Sequence, residues 1–125
     1  MIVNGVDIIE IARIRKISEK YGKRFLKRIY TEGEISYCRG RAPQLASRFA
    51  AKEAVMKALG TGVIGIRWKD VEIIRKGGSR PLVKLHGTAL HRAQTMQIQQ
   101  LSISLSHSDE HAIAFVIGES QTMNN

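Results

Sequence analysis

Three charged residues stand where a charge is either costly or paired, and their types suit phosphate chemistry. Asp7 interrupts an apolar, β-branched segment near the start of the chain. A carboxylate there is costly unless it is paired, hydrogen-bonded or bound to a cation. Glu53 and Lys57 are four residues apart, so on a helix they lie on one face. Two carboxylates that converge favour a hard cation such as Mg²⁺, and Lys57 would then face the phosphate bound to it.

Each of these residues also has a purely structural explanation. Glu53 and Lys57 form the ordinary i, i+4 pair that stabilises a solvated helix by a few tenths of a kcal/mol. Asp7 is consistent both with a carboxylate satisfied by hydrogen bonds inside a strand and with a functional one. Spacing alone leaves both explanations open.

The hydrophobic pattern predicts the elements that would position these residues, and their class is α+β. Period-two alternation predicts strands, and apolar residues recurring every three or four positions predict helices. The predicted strands are residues 2–9, 68–75, 81–86, 101–106 and 112–117. The predicted helices are residues 10–21, 24–30, 31–38, 44–59 and 88–97. Thr31 and Glu34 have the spacing of a capping box.

Length and composition predict one small domain. The chain has 125 residues, of which 43% are hydrophobic, and we expect residues 1–119 to form the domain and residues 120–125 a frayed tail. No window contains the run of about 18 apolar residues that a membrane-spanning helix needs, and the start does not resemble a secretory signal. The lone Cys38 cannot form an internal disulfide, which predicts a reducing cytoplasm. So small a domain favours a site between subunits.

The net charge predicts an anionic partner without identifying it. There are 20 Lys and Arg against 11 Asp and Glu, a balance of +9, and eight of the basic residues lie between positions 11 and 28. Such a charge attracts nucleic acid, acidic membranes, phosphate-bearing metabolites or an acidic protein. A small basic nucleic-acid-binding protein is therefore the main alternative function. The three Phe and three Tyr show no evident stacking cluster in the sequence, which argues against it.

Three segments together resemble a known family. They are residues 5–10 (GVDIIE), 48–62 (RFAAKEAVMKALGTG) and 105–108 (LSHS). In this order they are similar to holo-acyl-carrier-protein synthase, the small bacterial type of phosphopantetheinyl transferase, and the resemblance covers residues 2–119. It implies the 4′-phosphopantetheinyl transferase fold, with an antiparallel sheet packed on a long helix, and a homotrimer with sites between subunits.

The reaction implied by the resemblance uses the three charged residues. It is the Mg²⁺-dependent transfer of the 4′-phosphopantetheine arm of coenzyme A to a serine hydroxyl of apo-acyl carrier protein, with release of adenosine 3′,5′-bisphosphate. Asp7 and Glu53 would hold the metal, and Lys57 would add a second positive group at the phosphates. Asp7 or Glu53 would accept the serine proton. A coenzyme-A-binding module without catalysis is a third class, which the presence of all three residues argues against.

The resemblance also implies a set of contacts to coenzyme A. Besides Lys57 they are Arg48, Gly60, Thr61, Gly62 and His107. From the residue types alone, Arg48 is also consistent with a solvated surface side chain, and Gly60 with a helix C-cap. A different interpretation makes His107, Asp109 and His111 an H-x-D-x-H metal cluster.

The resemblance implies an acidic partner for the cationic region of residues 11–28, because acyl carrier proteins are strongly acidic. Charge complementarity would steer the two proteins together. The residues that resemble the family's carrier contacts are Arg13, Arg24 and Phe25. The other basic side chains of this region remain consistent with a solvated face, and we expect neither a nucleic acid nor a membrane as partner.

Overall fold

The computed structural model describes residues 1–121, which form five strands, five helices and one short 3₁₀ turn. The strands are β1 (Ile2–Glu10), β2 (Val71–Ile74), β3 (Leu82–Leu85), β4 (Ile98–His107) and β5 (His111–Ser120). The helices are α1 (Ile11–Tyr21), α2 (Lys23–Ile29), α3 (Glu32–Cys38), α4 (Ala42–Ala58) and α5 (Gly87–Thr95). The predicted α+β class and both predicted hairpins are confirmed. None of the helices within residues 1–121 combines the length and apolar character needed to cross a membrane.

Two antiparallel sheets organise the domain. The larger has the strand order β1-β5-β4, and the smaller consists of β2 and β3. In the larger sheet Asp7 pairs with Ala114, which in turn pairs with Leu105. Side chains alternate between the two faces, and the face that carries Ala112, Ala114 and Val116 is buried. The core therefore lies between this face and α4.

Helix α4 is 17 residues long and packs against β1 and β5. A row of small residues on α4, including Ala50 and Ala54, is fully buried, which allows the sheet to approach the helix backbone. The contact is closest at Gly5, where a Cβ atom would lie 2.0 Å from the carbonyl oxygen of Ala54. Only glycine fits there, so the Gly5 contact sets the separation between β1 and α4.

The predicted capping box is confirmed at the start of α3. The Glu34 amide donates to Thr31 Oγ1 at 3.1 Å, and the Thr31 amide donates to Glu34 Oε1 at 2.9 Å. These two bonds satisfy donors that the first turn of a helix otherwise leaves unpaired.

The strand predicted from residue 68 was wrong in its first three residues. Trp68–Asp70 form the 3₁₀ turn, and the strand starts at Val71. The carboxylate of Asp70 accepts hydrogen bonds from the amide and the hydroxyl of Thr88, at 2.8 and 2.7 Å. These two bonds join the 3₁₀ turn to the first turn of α5.

The chain also remains ordered further than predicted at its C-terminal end. Ser120 belongs to β5, is buried, and its amide donates to the Met1 carbonyl at 2.7 Å. The prediction that residue 120 belongs to a frayed tail was therefore wrong, because strand pairing continues through it. Residues 122–125, the rest of that predicted tail, lie outside the described residues.

Candidate active site

The fold brings Asp7, Glu53 and Lys57 together on the side of the domain where β1 crosses α4. Lys57 Nζ donates to Asp7 Oδ1 and to the carbonyl oxygen of Val6, both at 3.0 Å. The Asp7 side chain is 14% exposed and that of Lys57 is 53% exposed. The Asp7 carboxylate is thus mostly buried, while the Lys57 side chain is half exposed to solvent.

The carboxyl group of Glu53 has a raised affinity for protons, and its pKa rises to about 7. Burial is the largest cause, followed by a side-chain hydrogen bond with Asp7 and the negative charge of Asp7. The positive charges of Lys57 and Arg13 act in the opposite direction. A carboxyl group with this pKa can exchange a proton near neutral pH.

The carboxylate pair fits a hard divalent cation. Two carboxylates that share a hydrogen bond and repel each other when both are ionised are stabilised by a cation between them. Within residues 1–121, no group of three or more His, Cys, Asp or Glu is placed to hold a metal. Asp7 and Glu53 would together supply two carboxylate oxygens, a donor set that suits Mg²⁺, which keeps several waters. The H-x-D-x-H cluster considered for residues 107–111 does not form.

Arg48 is buried rather than solvated, with a side chain that lies over the Tyr37 ring at 4.4 Å. The surface explanation for this residue is therefore wrong. Its Nε and Nη2 atoms are buried and have no hydrogen-bond partner among the described residues. A buried guanidinium group stays charged, so unsatisfied donors there favour an anionic group.

Residues 60–62 follow the C-terminal end of α4, and one of them, Thr61, lines a separate cavity. Gly60 and Gly62 have φ angles of +76° and +58°, and the Gly60 amide donates to the Lys57 carbonyl at 3.0 Å. The C-cap explanation thus holds, since left-handed glycines terminate the helix. Thr61 lines a cavity of about 660 Å³ between this loop and α5, which also contains His91 and Arg92.

Arg92 joins that cavity to the end of α4, because its Nε donates to the Leu59 carbonyl at 2.9 Å. The sequence analysis missed both His91 and Arg92. No local pattern distinguishes them from other polar residues on a helix surface, and only the packing of α5 against the 60–67 loop brings them to a cavity.

His107 lies at the far end of β4 and is exposed. Its backbone pairs with Ala112, while Asp7 pairs with Ala114, two positions further along β5. The contacts described within residues 1–121 for Arg48, residues 60–62 and His107 do not reach the carboxylate pair. One chain thus assembles the two carboxylates with Lys57, and no described contact joins the other predicted coenzyme contacts to them.

An aromatic groove lies beside the cationic helices. We define it by Phe25, Phe49 and Trp68, whose rings are in contact: the centroids are 6.5 Å apart for Phe25–Phe49 and 4.8 Å apart for Phe49–Trp68. The sequence analysis found no stacking cluster, and the structure corrects this, because residues distant in the chain supply the rings. Arg24 borders the same cavity, of about 490 Å³.

The outer face of the larger sheet is apolar. Val6 pairs with Phe115 and Ile8 with Ile113 across β1 and β5, so their side chains form one patch. Six residues of this outer sheet face are each 40–58% exposed: Ile2, Val6, Ile8, Ile113, Phe115 and Ile117. A contiguous apolar patch on a small domain is typical of a protein interface.

Comparison with known proteins identifies the family of this chain. The sequence profile described as the 4′-phosphopantetheinyl transferase superfamily matches residues 4–116. A holo-[acyl-carrier-protein] synthase of Herpetosiphon aurantiacus is 46% identical over 125 residues, which cover 94% of this chain and 98% of the relative.

Solved structures with the same fold carry the same enzyme name. The holo-[acyl-carrier-protein] synthase of Helicobacter pylori in complex with coenzyme A has a TM-score of 0.84 and 35% identity, over 95% of this chain and 100% of that one. The enzyme of Neisseria meningitidis has a TM-score of 0.85 and 33% identity, over 96% and 100% of the two chains. The chain described here belongs to the 4′-phosphopantetheinyl transferase superfamily, among its holo-acyl-carrier-protein synthases.

Proposed function

We propose that this enzyme transfers the 4′-phosphopantetheine arm of coenzyme A to a serine hydroxyl of an apo-acyl carrier protein and releases adenosine 3′,5′-bisphosphate. The observation that carries the proposal is the convergence of Asp7 and Glu53 with Lys57, at 3.0 Å from Asp7, in a chain of this family. The coenzyme A complex of the Helicobacter pylori enzyme supports coenzyme A as the donor. The lone, buried Cys38 suits a reducing cytoplasm.

Asp7 and Glu53 would hold Mg²⁺ in this proposal. When bound, the ion supplies positive charge that neutralises the pyrophosphate oxygens and stabilises the leaving bisphosphate. Lys57 contributes a second positive charge from the chain itself. Because the Lys57 side chain is half exposed while its ammonium group is bonded to Asp7, this group can turn toward a phosphate oxygen without leaving the site.

The serine hydroxyl must lose a proton when it attacks the phosphorus. Glu53 is the side chain that we propose as acceptor; in the protein without metal, burial and Asp7 raise the pKa of its carboxyl group to about 7. Once Glu53 holds the proton, it can donate a hydrogen bond to the Asp7 carboxylate.

No described contact joins the residues other than Lys57 that we assign to coenzyme A to the carboxylate pair within one chain, and a homotrimer would bring contacts of neighbouring chains into one site. Arg48 has two buried donors to offer a phosphate, and His107, Gly60, Thr61 and Gly62 would meet the nucleotide and its linker. The apolar outer sheet face defined above is the surface that we assign to subunit contact.

A charge on the outer sheet face is expected to dissociate the trimer. Phe115→Arg places an arginine in the middle of this patch, where burial of an unpaired charge opposes association. Size-exclusion chromatography with light scattering should give about one third of the wild-type mass. Ile64→Arg, at an 82% exposed position outside the sheet, is the control and should stay trimeric. If the Phe115→Arg variant remained trimeric, the assignment of the outer sheet face to subunit contact would be refuted.

The acidic carrier protein would dock on Arg13, Arg24 and Phe25; Phe25 belongs to the aromatic groove, and Arg24 borders the same cavity. Arg24→Glu is expected to raise the KM for the carrier about tenfold at low salt, since it reverses a charge that steers association. The difference should shrink as salt increases. Arg15→Glu makes the same charge change on α1 outside this groove and should have a much smaller effect. Equal effects of both variants would contradict local docking.

Mass spectrometry of the carrier tests the function directly. Apo-acyl carrier protein, coenzyme A and Mg²⁺ are incubated with the enzyme, and the carrier should gain the mass of one phosphopantetheine. The gain should disappear with EDTA. Coenzyme A binding without any gain, tried with several carriers and a folded trimer, would favour a binding module instead and overturn the proposed transfer.

A further inference from the structure

Lys52, the residue directly before Glu53, is fully buried, and its ammonium group is bonded to three oxygen atoms. Lys52 Nζ lies 2.7 Å from Glu34 Oε1 and donates to the Trp68 carbonyl at 3.1 Å and to the Val71 carbonyl. All three protons of the group can thus be used. Burial lowers the pKa of Lys52, and the charge of Glu34 opposes that change.

The partner carboxylate is equally constrained. Glu34 is also fully buried; its Oε1 accepts the capping bond from the Thr31 amide, and its Oε2 accepts the Ile73 amide at 2.8 Å. The Lys52–Glu34 pair therefore joins α3, α4, the 3₁₀ turn and β2 at one point. None of these bonds involves Asp7, or Glu53 and Lys57 on α4.

Stability alone is a weak reason for such a pair. Desolvation of two charges offsets most of their attraction, and replacement of a buried ion pair by apolar residues of similar volume is often neutral or stabilising. The pair instead fixes the orientation of α4, because its hydrogen bonds keep their geometry only at one rotation and one axial position of the helix.

On the opposite side of α4 the directional bonds come from a half-exposed side chain, Lys57, whose Nζ donates to the Asp7 carboxylate and to the Val6 carbonyl. There the helix meets the sheet through Gly5 and small residues such as Ala50 and Ala54. These van der Waals contacts set the distance between α4 and the sheet. Small side chains such as alanine oppose rotation or sliding of the helix less than directional hydrogen bonds do. Lys52 and Glu53 are adjacent, about 100° apart around the helix, so a rotation that moves one moves the other.

We propose that Lys52 and Glu34 are positioning residues for the carboxylate pair: they fix the rotation of α4 and thereby place the Glu53 carboxylate against Asp7. The inference rests on the proposed role of these two carboxylates as metal ligands. The inference extends to the docking surface. Lys52 donates to the Trp68 carbonyl, and the Trp68 ring stacks on Phe49 in the aromatic groove.

The test is the double variant Lys52→Met/Glu34→Leu, which removes both charges and keeps the volume filled. Melting temperature, coenzyme A affinity as a function of Mg²⁺ concentration, and steady-state transfer are measured. We expect a folded trimer whose half-saturating Mg²⁺ concentration rises and whose kcat falls, each by about 10–100-fold. The KM for the carrier should change less than kcat.

Two further variants keep the test decisive. Ile98→Ala, a core truncation in β4 that no described hydrogen bond or strand pairing joins to the pair, controls for lost stability and should leave the Mg²⁺ response unchanged. Should the double variant not fold, Lys52→Arg replaces it, because this change keeps the charge but alters the bond directions. The same rise in half-saturating Mg²⁺ is then expected.

The outcomes separate the two proposals. A folded double variant with the wild-type Mg²⁺ response and kcat would reduce the pair to a structural element and overturn the inference. Absence of transfer by the wild type would instead refute the proposed function, and the Mg²⁺ dependence of coenzyme A binding would still measure whether the pair positions Glu53.

Discussion

Glu53→Gln is expected to lower the rate of phosphopantetheine transfer about 10³-fold or more while it stabilises the metal-free protein at alkaline pH. The rate falls because an amide is a poor ligand for Mg²⁺ and cannot accept the serine proton. Mass spectrometry of the carrier, sampled over time, measures this loss. A variant with more than a tenth of the wild-type rate would contradict both roles of Glu53.

The gain in stability follows from the raised pKa. It is about 7 in the folded protein, against about 4.3 in an unfolded chain. Between these values the folded state holds more protons, so the free energy of unfolding decreases as the pH rises through this window. The stabilising contribution is complete below the lower value and lost above the higher one. Glutamine mimics the protonated acid at every pH and avoids this loss.

Calorimetry in EDTA at pH 5 and pH 8 checks the sign. Glu53→Gln should melt about 2 °C or more above the wild type at pH 8, with the difference shrinking at pH 5. Glu19→Gln, at an exposed position on α1, is the matched control and should change neither value appreciably. A less stable Glu53→Gln variant at pH 8 would show that Glu53 is not destabilised by its surroundings.

Gly5→Ala is expected to be the most destabilising methyl addition in the first strand. Its Cβ would lie 2.0 Å from the Ala54 carbonyl oxygen and 3.0 Å from the Ala58 amide nitrogen, both backbone atoms of α4. Neither atom can move aside alone, so β1 and α4 must separate. Overpacking of this kind costs about 3 kcal/mol or more, equivalent to a fall of about 10 °C in melting temperature.

The position of Asp7 makes this variant informative about function as well. Asp7 lies two residues beyond Gly5 on β1, and Glu53 lies beside Ala54 on α4. Separation of the two elements therefore pulls the carboxylates apart, and the Mg²⁺ concentration for half-maximal transfer should rise. Gly77→Ala, where a Cβ meets nothing within 4 Å, is the control. Equal melting temperatures of the two variants would contradict the close approach.

Local patterns explain why much of the fold was predictable. The capping box joins Thr31 to Glu34 within one turn, and the hairpin of β4 and β5 follows from alternation and a short polar connection. Such features depend on residues a few positions apart. The 3₁₀ turn at Trp68 was missed, and the bond that joins it to α5, between Thr88 and Asp70, spans eighteen residues.

The candidate site, too, was predictable only in part from the sequence. The residue types and order of Asp7, Glu53 and Lys57, with the family resemblance of their segments, indicated the chemistry from the sequence by itself. Their convergence, the raised pKa of Glu53 and the burial of Arg48 depend on how β1 and α3 pack on α4. Contacts between residues far apart in the chain decide these properties, because desolvation and hydrogen bonding act over a few ångströms in space, whatever the separation in sequence.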